Sequence, residues 1–290
     1  TEFANYTSSK MPNGFSARGG QVYSAYGKAG DPSGSSTGSA VAVSAGFARR
    51  QSGRTPLFLW PAVRRKTAHG SLSGRGIVPI ASLLDSAGLP AHTFADAVGY
   101  SAMRAEALEP LYAPEAGRLR LAVNTFWEET VPEVQKALFR GVLDVFIRTV
   151  VHPYQPMQKD AIRCAFRHGL EDYLAGTNAE NRMLGQIVAQ YGGGFGANAV
   201  WDRSTAHGSS IADPAYTRAA FMESLRGFDA CLMTEPTNVA HFCGFSSVAL
   251  RLGADADGMP RGTVLYGAGK KRLFSAALCI KRYTKPVSWP

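Results

Sequence analysis

The densest set of reactive side chains in this 290-residue chain is Asp31–Ala42, DPSGSSTGSAVA, where four serines and a threonine alternate with glycine. A serine hydroxyl becomes a nucleophile only when a neighbouring base takes its proton, so such a loop does chemistry only in company. Gly34-Ser35-Ser36-Thr37-Gly38 fits the Gly-x-Ser-x-Gly spacing of a nucleophile elbow. That elbow needs a buried strand directly before it to thrust the serine upward. What precedes it, YSAYGKAGDP, is turn-forming and reads as a loop, which argues against a hydrolase elbow of that kind.

The remaining candidates carry less. Gly192, Gly194 and Ala197 fit a dinucleotide-binding Gly-x-Gly-x-x-Ala pattern but follow a helical segment, whereas that fingerprint follows a strand. Gly267-Ala268-Gly269-Lys270-Lys271 lacks the spacing and the Ser/Thr of a P-loop. The histidines (His69, His92, His152, His168, His207, His241) are scattered with no HxH or HxxxH pair, so no metal site is expected. Glu171 and Asp172 are adjacent on a predicted helix, face different ways, and do not make a glycosidase pair. Cys164, Cys231, Cys243 and Cys279 lie far apart in apolar company with no CxxC motif, which reads as buried thiols in a reducing compartment.

The elements that must position the serine loop read as one α/β unit. Residues 6 to 38 are loop-rich, and the small-residue run Ser39 to Ala48 forms a closely packed helix. Ile77 to Ile80, with Pro79 inside, is a short extended piece at an edge or bend. Thr93 caps a helix running to Ala107, with Asp96 three residues on. Arg118 to Val123 alternates as a strand, and Pro132 opens a long amphipathic helix with Val134, Leu138, Val142, Val145, Phe146 and Val150 inward. Helices follow at Asp160 to Leu174, Asn181 to Tyr191 and Pro214 to Leu225. A buried strand covers Asp229 to Met233, another covers Gly262 to Tyr266, and a closing helix spans Lys270 to Lys281. Strands alternating with helices, with no repeat and no long linker, predict a single domain with a largely buried sheet.

Composition narrows the function classes. Hydrophobic residues at 45% and charged residues at 18% describe a folding chain, and no apolar run is long enough to span a membrane. The first fifteen residues lack the basic and apolar regions of a secretory signal, so a cytoplasmic location is expected. Thirty-one Lys plus Arg against 22 Asp plus Glu give a net charge of +9. From Pro32 to Leu84 there is no acidic residue, while Arg49, Arg50, Arg54, Arg64, Arg65, Lys66 and Arg75 all fall there. These cations flank the apolar run Pro56 to Trp60 without helical spacing, so a nucleic-acid partner is not expected.

Several segments together carry a family resemblance. Asp31-Pro-Ser-Gly-Ser-Ser-x-Gly-Ser-Ala40, followed by an Ala/Val helix, resembles the serine-rich centre of the amidase signature family. Thr1-Glu2-Phe3-Ala4-Asn5 and Ser16-Ala17-Arg18-Gly19-Gly20-Gln21 are similar to its (S/T)E(F/W)(A/G)N and SARGGQ elements. Arg75-Gly76-Ile77-Val78-Pro79-Ile80, Leu84-Asp85-Ser86-Ala87-Gly88 and Thr93-Phe94-Ala95-Asp96-Ala97 resemble its GIVPI, DTAGP and TVADA sequence in the same order. Asp229 to Asn238 and Asp257-Gly258-Met259-Pro260-Arg261-Gly262 fit its C-terminal half, and the peptide-amidase-like branch is nearest. The SARGGQ element argues against the branch that transamidates misacylated tRNA.

The resemblance implies a mixed central sheet wrapped by helices, hydrolysing small-molecule carboxamides with neither metal nor cofactor. It divides the chain into a signature region (1–48), a divergent Arg-rich stretch (49–69) and the remainder of the domain (70–290), and it implies a domain lacking its N-terminal part. The family uses a Ser–cis-Ser–Lys triad, in which a neutral lysine takes the nucleophile's proton through a second serine. By position Ser35 is the bridging cis-Ser, with Gly34, Ser36, Gly38 and Ser39 as the signature loop. The lysine lies in the family before the SE(F/W)AN element, and Lys10 and Lys28 are not it; both read as solvated loop residues. The nucleophile belongs about two dozen residues after the cis-Ser, in a G-T-(E/D)-T-x-G-S segment ahead of a Pro-Ala pair. Here that place is held by RRQSGRTPLFLW before Pro61-Ala62. Leu59 stands at the expected distance from Ser35, Leu57 at the expected offset from Pro61, and Ser52 comes too early. The resemblance thus implies impaired amide hydrolysis, or a non-catalytic homologue, with oligomeric state left open. The pattern is lost near Ala48 and returns near Gly70 with a jump in arginine, as a locally altered reading frame would produce.

Overall fold

The computed structural model describes residues 12–16, 19–32, 34, 36–48, 53–54, 63–66, 70–80, 85–97, 114–124, 131, 133–144, 146–151, 159–191, 214–233, 243–267 and 269–284. A two-stranded hairpin, β1 (Phe15–Ser16) and β2 (Gly20–Gln21), leads to helix α1 (Thr37–Ser44). Strands β3 (Gly53–Arg54), β4 (Val63–Lys66) and β5 (Ala87–Ala91) follow, then β6 (Arg120–Asn124), α2 (Glu133–Leu143) and β7 (Ile147–Val151). Helices α3 (Lys159–Ala175), α4 (Leu184–Tyr191) and α5 (Pro214–Ser224) precede β8 (Ala230–Met233), β9 (Ser246–Ala254), β10 (Pro260–Gly267) and α6 (Lys270–Lys281).

Eight strands form one mixed sheet in the order β3-β5-β4-β9-β10-β8-β6-β7. The run from β3 to β8 is antiparallel, and β8, β6 and β7 are parallel. Side chains alternate between faces along a strand, so each buried strand feeds two cores. Leu121, Val123, Leu232, Val248, Leu250 and Leu265 meet Phe139 and Val142 of α2 and Leu273, Phe274 and Ala277 of α6. Ala122, Cys231, Met233, Ala249, Val264 and Tyr266 point the other way, toward Phe221 of α5, Leu225 and Phe245. A bulge between Arg261 and Gly262 interrupts the β9–β10 ladder, and the Gly262 carbonyl accepts a hydrogen bond from Gln135 Nε2 of α2 at 3.0 Å. The closing helix has the predicted bounds. The expected strands at Arg118, Asp229 and Gly262 are present with ends shifted by one or two residues.

One expectation needs correcting, and several strands were unforeseen. The amphipathic helix from Pro132 does not run to Val150: α2 ends at Leu143 and Ile147–Val151 is a strand parallel to β6. The apolar spacing continues past Leu143, but the β-branched run Ile147, Thr149, Val150, Val151 favours the pleated surface and completes a β6–α2–β7 crossover. Ile77 to Ile80, expected as a short extended piece at an edge or bend, has bends at Ile77 and Ile80. Several strands were not anticipated: the short β1–β2 hairpin, β3 and β4 in the Arg-rich stretch, β5 and the nine-residue β9. Pro90 in β5 reads as a strand breaker, yet it stands opposite Arg64 in the β4–β5 ladder, while the described residues of β3 pair with Gly88 and Ala87. Of the helix from Thr93, Phe94 to Ala97 is described, and its remainder lies outside the described residues.

Candidate active site

The serine loop is held by the segments that resemble the family motifs, which fold onto one another. Asn13 Nδ2 donates to both carboxylate oxygens of Asp31, at 3.1 and 3.0 Å, at the start of the DPSG run. Gln21 Nε2 donates to the carbonyl of Asn13 at 2.7 Å and to that of Val22 at 2.8 Å, fixing the β1–β2 hairpin against Asn13. Ser16 Oγ accepts from Gly19 N–H at 2.9 Å and closes the turn of the SARGGQ element.

Two glycines are required by this closeness. Gly14 has φ +81°, and a Cβ there would stand 2.7 Å from the Val22 carbonyl and 3.0 Å from Thr37 Cγ2. A Cβ on Gly34 would enter the Asn13 amide. The hairpin, Asp31 and the first turn of α1 therefore pack as one unit around the signature loop. α1 follows with Ser36 as its N-cap residue. Thr37 and Ser39 are buried, and Ser44 Oγ donates to the Ala40 carbonyl at 2.9 Å. Its small residues let it lie closely against β5. Gly46, with φ +78°, ends the helix and donates to the Val43 carbonyl at 3.1 Å.

The loop is also tied to the sheet. Gly30 approaches Met259 so closely that a Cβ would overlap its side chain. Met259 belongs to the β9–β10 turn, where the Asp255 carboxylate accepts from Asp257 N–H at 3.1 Å, Met259 N–H at 2.9 Å and Arg261 Nε at 2.8 Å. Burial pushes the Asp255 carboxyl up, but Arg261 and these N–H groups outweigh it and hold the group below its ordinary value. Tyr26 is anchored beside Arg251 of β9; burial raises its phenol pKa and the guanidinium lowers it in part. Arg251 Nη2 donates to the His92 carbonyl at 3.3 Å, and burial draws the guanidinium down from its ordinary value.

The downstream motifs form the adjoining wall. Ile80 N–H donates to Asp85 Oδ2 at 2.8 Å, joining the GIVPI and LDSAG segments. Val78 and Ile80 pack with Phe15 on Phe166, Leu170 and Leu184 of α3 and α4. Thr93 Oγ1 accepts from Asp96 N–H at 3.0 Å, the cap expected from the sequence, and donates to Asp96 Oδ2 at 2.8 Å.

Among the predicted site residues, Gly34, Ser36, Gly38 and Ser39 are thus placed together at the entrance of α1. Ser35, Ser52, Leu57, Leu59 and Lys10 lie outside the described residues, and the Arg-rich stretch is represented by β3 and β4. Lys28 is exposed, 5.8 Å above the Tyr23 ring. Glu171 accepts from Leu184 N–H at 3.0 Å and pairs with Arg167 at 3.3 Å, tying α4 to α3. Cys231, Cys243 and Cys279 are buried free thiols, and burial pushes Cys231 up to about 12. Among the described residues no group of three or more His, Cys, Asp or Glu could hold a metal ion, and no helix is long and apolar enough to cross a membrane. Asn13, Tyr26, Arg251 and Met259 escaped sequence reasoning, because their contribution depends on contacts between distant segments.

No protein-family model matches the chain. A protein of Arthroderma benhamiae named "Putative amidase" is 40% identical over 104 residues, which is 33% of this chain and 18% of that protein. The chain therefore aligns with about a fifth of that relative's length. Among solved structures, an amidase family protein from Bacillus anthracis superposes with a TM-score of 0.82 at 24% identity, covering 99% of this chain and 68% of that one. Native peptide amidase from Stenotrophomonas maltophilia gives a TM-score of 0.75 at 24% identity, over 99% and 74% of the two chains. The chain thus has the fold of amidase-family proteins, and over a third of its length its sequence resembles that fungal protein.

Proposed function

We propose that this chain is an amide hydrolase in its architecture, acting on the C–N bond of small carboxamides, whose catalytic power is impaired. The observation that carries this reading is the joining of the β1–β2 hairpin, Asp31, Gly34 and the first turn of α1 into one unit. That unit is a scaffold for a serine presented at a helix start, where backbone N–H groups favour developing negative charge. Ser35, between Gly34 and Ser36 in sequence, is the bridging serine of a Ser–cis-Ser–Lys mechanism in this reading. The impairment rests on the nucleophile position. Arg49–Trp60 offers only Ser52, and leucine occupies the two expected places. Removing the nucleophile of a comparable hydrolase costs about 10⁶-fold in turnover and leaves about 10³–10⁴-fold over water, a remainder too slow to register for an unactivated amide in an ordinary assay.

Hydrolysis of benzamide by this chain and by its Ser35→Ala variant tests both halves. The expected outcome is no turnover above the buffer rate in either. Turnover that disappears with Ser35→Ala would refute impairment, whereas turnover indifferent to that change would remove the site assignment itself. The altered-frame reading of Arg49–His69 has its own test in the coding DNA. Translation of the other frames should yield a T-x-G-S run there, and its absence from all of them defeats that idea.

A further inference from the structure

The end of β10 far from the serine loop borders a cavity. Met259, which touches that loop, precedes the strand, and seven strand rises separate Pro260 from Gly267 by roughly 24 Å. At Gly267 a space of about 350 Å³ opens between the end of α5, the turn into β8 and α6. Met222, Leu225 and Phe228 form its apolar wall, and Arg272 of α6 lines it too. Met222 stands 41% exposed at its lip, although it is a large apolar side chain. Exposed apolar surface rimmed by charge, set in a concavity of this size, is the form that small-molecule sites take.

The charges of the wall select the ligand. Glu223 pairs with Arg226 at 2.7 Å, so those two cancel. Asp229 Oδ2 accepts from Arg120 N–H at 2.9 Å, and a Cβ on Gly227 would stand 3.9 Å from Arg120 Nη2, which puts that guanidinium at the rim. Arg120 thus offsets Asp229, and Arg272 is left over. Among the described residues Arg272 makes no ion pair. Its planar fork of donors matches the two oxygens of a carboxylate. A single uncompensated positive charge suits a monoanion, whereas the second charge of a dianion would meet the Glu223 and Asp229 carboxylates.

We propose that this cavity binds a small monocarboxylate with an apolar body, an arylcarboxylate in type. Arg272 takes the carboxylate, and the ring rests on Met222, Leu225 and Phe228. The site is separate from the serine loop and does not depend on the amide-hydrolase reading.

Calorimetric titration of the full chain at neutral pH and constant ionic strength tests it, with naphthoate, neutral naphthylmethanol, acetate and naphthyl phosphate as probes. Naphthoate should saturate, and naphthylmethanol and acetate should both bind more weakly. The dianionic naphthyl phosphate should bind no more tightly than naphthoate. Arg272→Gln, at an exposed position of α6, should weaken naphthoate about tenfold, as loss of a charge-assisted contact does, and leave naphthylmethanol unchanged. Ala219→Phe, at an exposed α5 position on the cavity wall, should fill the space and abolish binding of both, with the unliganded melting temperature unchanged. Failure of naphthoate to saturate would overturn the proposal, as would a naphthoate affinity indifferent to either variant. Naphthylmethanol binding as tightly as naphthoate, or naphthyl phosphate binding more tightly, would overturn the assigned ligand class.

Discussion

Asp31–Ser44 and Arg49–His69 are neighbours in sequence and opposites in kind. The first is held residue by residue: Asp31 accepts from Asn13, Gly34 leaves room for the Asn13 amide, and Thr37 packs where a Cβ on Gly14 would press. The second departs from the resembling pattern, yet it contributes β3 and β4 to the sheet, with Arg64, Arg65 and Lys66 paired to both β5 and β9. Ladder hydrogen bonds are made by backbone groups that every non-proline residue carries. A strand can therefore survive replacement of its side chains, whereas proton transfer cannot survive loss of one hydroxyl. In the proposed reading, fold and chemistry part company between residues 48 and 49.

The largest perturbation should come from the sheet that both regions share. Leu265→Ala removes a fully buried side chain from the middle of β10 and should cost about 3–4 kcal/mol of unfolding free energy, read by urea denaturation. Gly14→Val, at the contact with the first region, forces a branched side chain to φ +81° against the Val22 carbonyl. It should cost about 2–3 kcal/mol and expose Asp31–Ser36 to limited proteolysis. A smaller effect, near 1–2 kcal/mol, is expected for Asp255→Asn, which weakens the turn carrying Met259. The pH dependence supplies its sign. A carboxylate depressed by folding stabilises the native state above its unfolded pKa, and that contribution is lost as pH falls through the folded value. The acid limb of the stability profile should be shallower in Asp255→Asn than in the parent. Least perturbing is a test of the dry core: Cys231, pushed up to about 12, should resist iodoacetamide at pH 8 until the chain is unfolded.

Legibility in the sequence followed the same division. α6 was readable end to end, because Leu273, Phe274, Ala277 and Ile280 recur at helical spacing toward the sheet. β8 and β10 stood out as short apolar runs between turn residues. β9 did not, since its two serines, Arg251 and Gly253 break the apolar run, although the strand is central and nearly all buried. The boundary between α2 and β7 was hidden because Phe146 and Val150 extend the helical spacing, and only tertiary pairing with β6 settles the register. The signature loop was visible as a motif. Its anchors were not, because Tyr26 with Arg251 and Gly30 with Met259 join residues more than two hundred positions apart. Nothing local in either segment announces the other.

Hydrogen exchange of the backbone amides across Arg49–His69, followed by mass spectrometry in the full chain, tests most directly whether the divergent stretch keeps its place in the sheet. Paired strands protect their amides to the extent that opening them costs free energy. Peptides covering Val63–Lys66 should be protected comparably to those covering Val248–Leu250, their neighbours in the sheet. Exchange of Val63–Lys66 at the rate of an unstructured peptide, with Val248–Leu250 still protected, would show that the divergent stretch has left the sheet and would contradict the account.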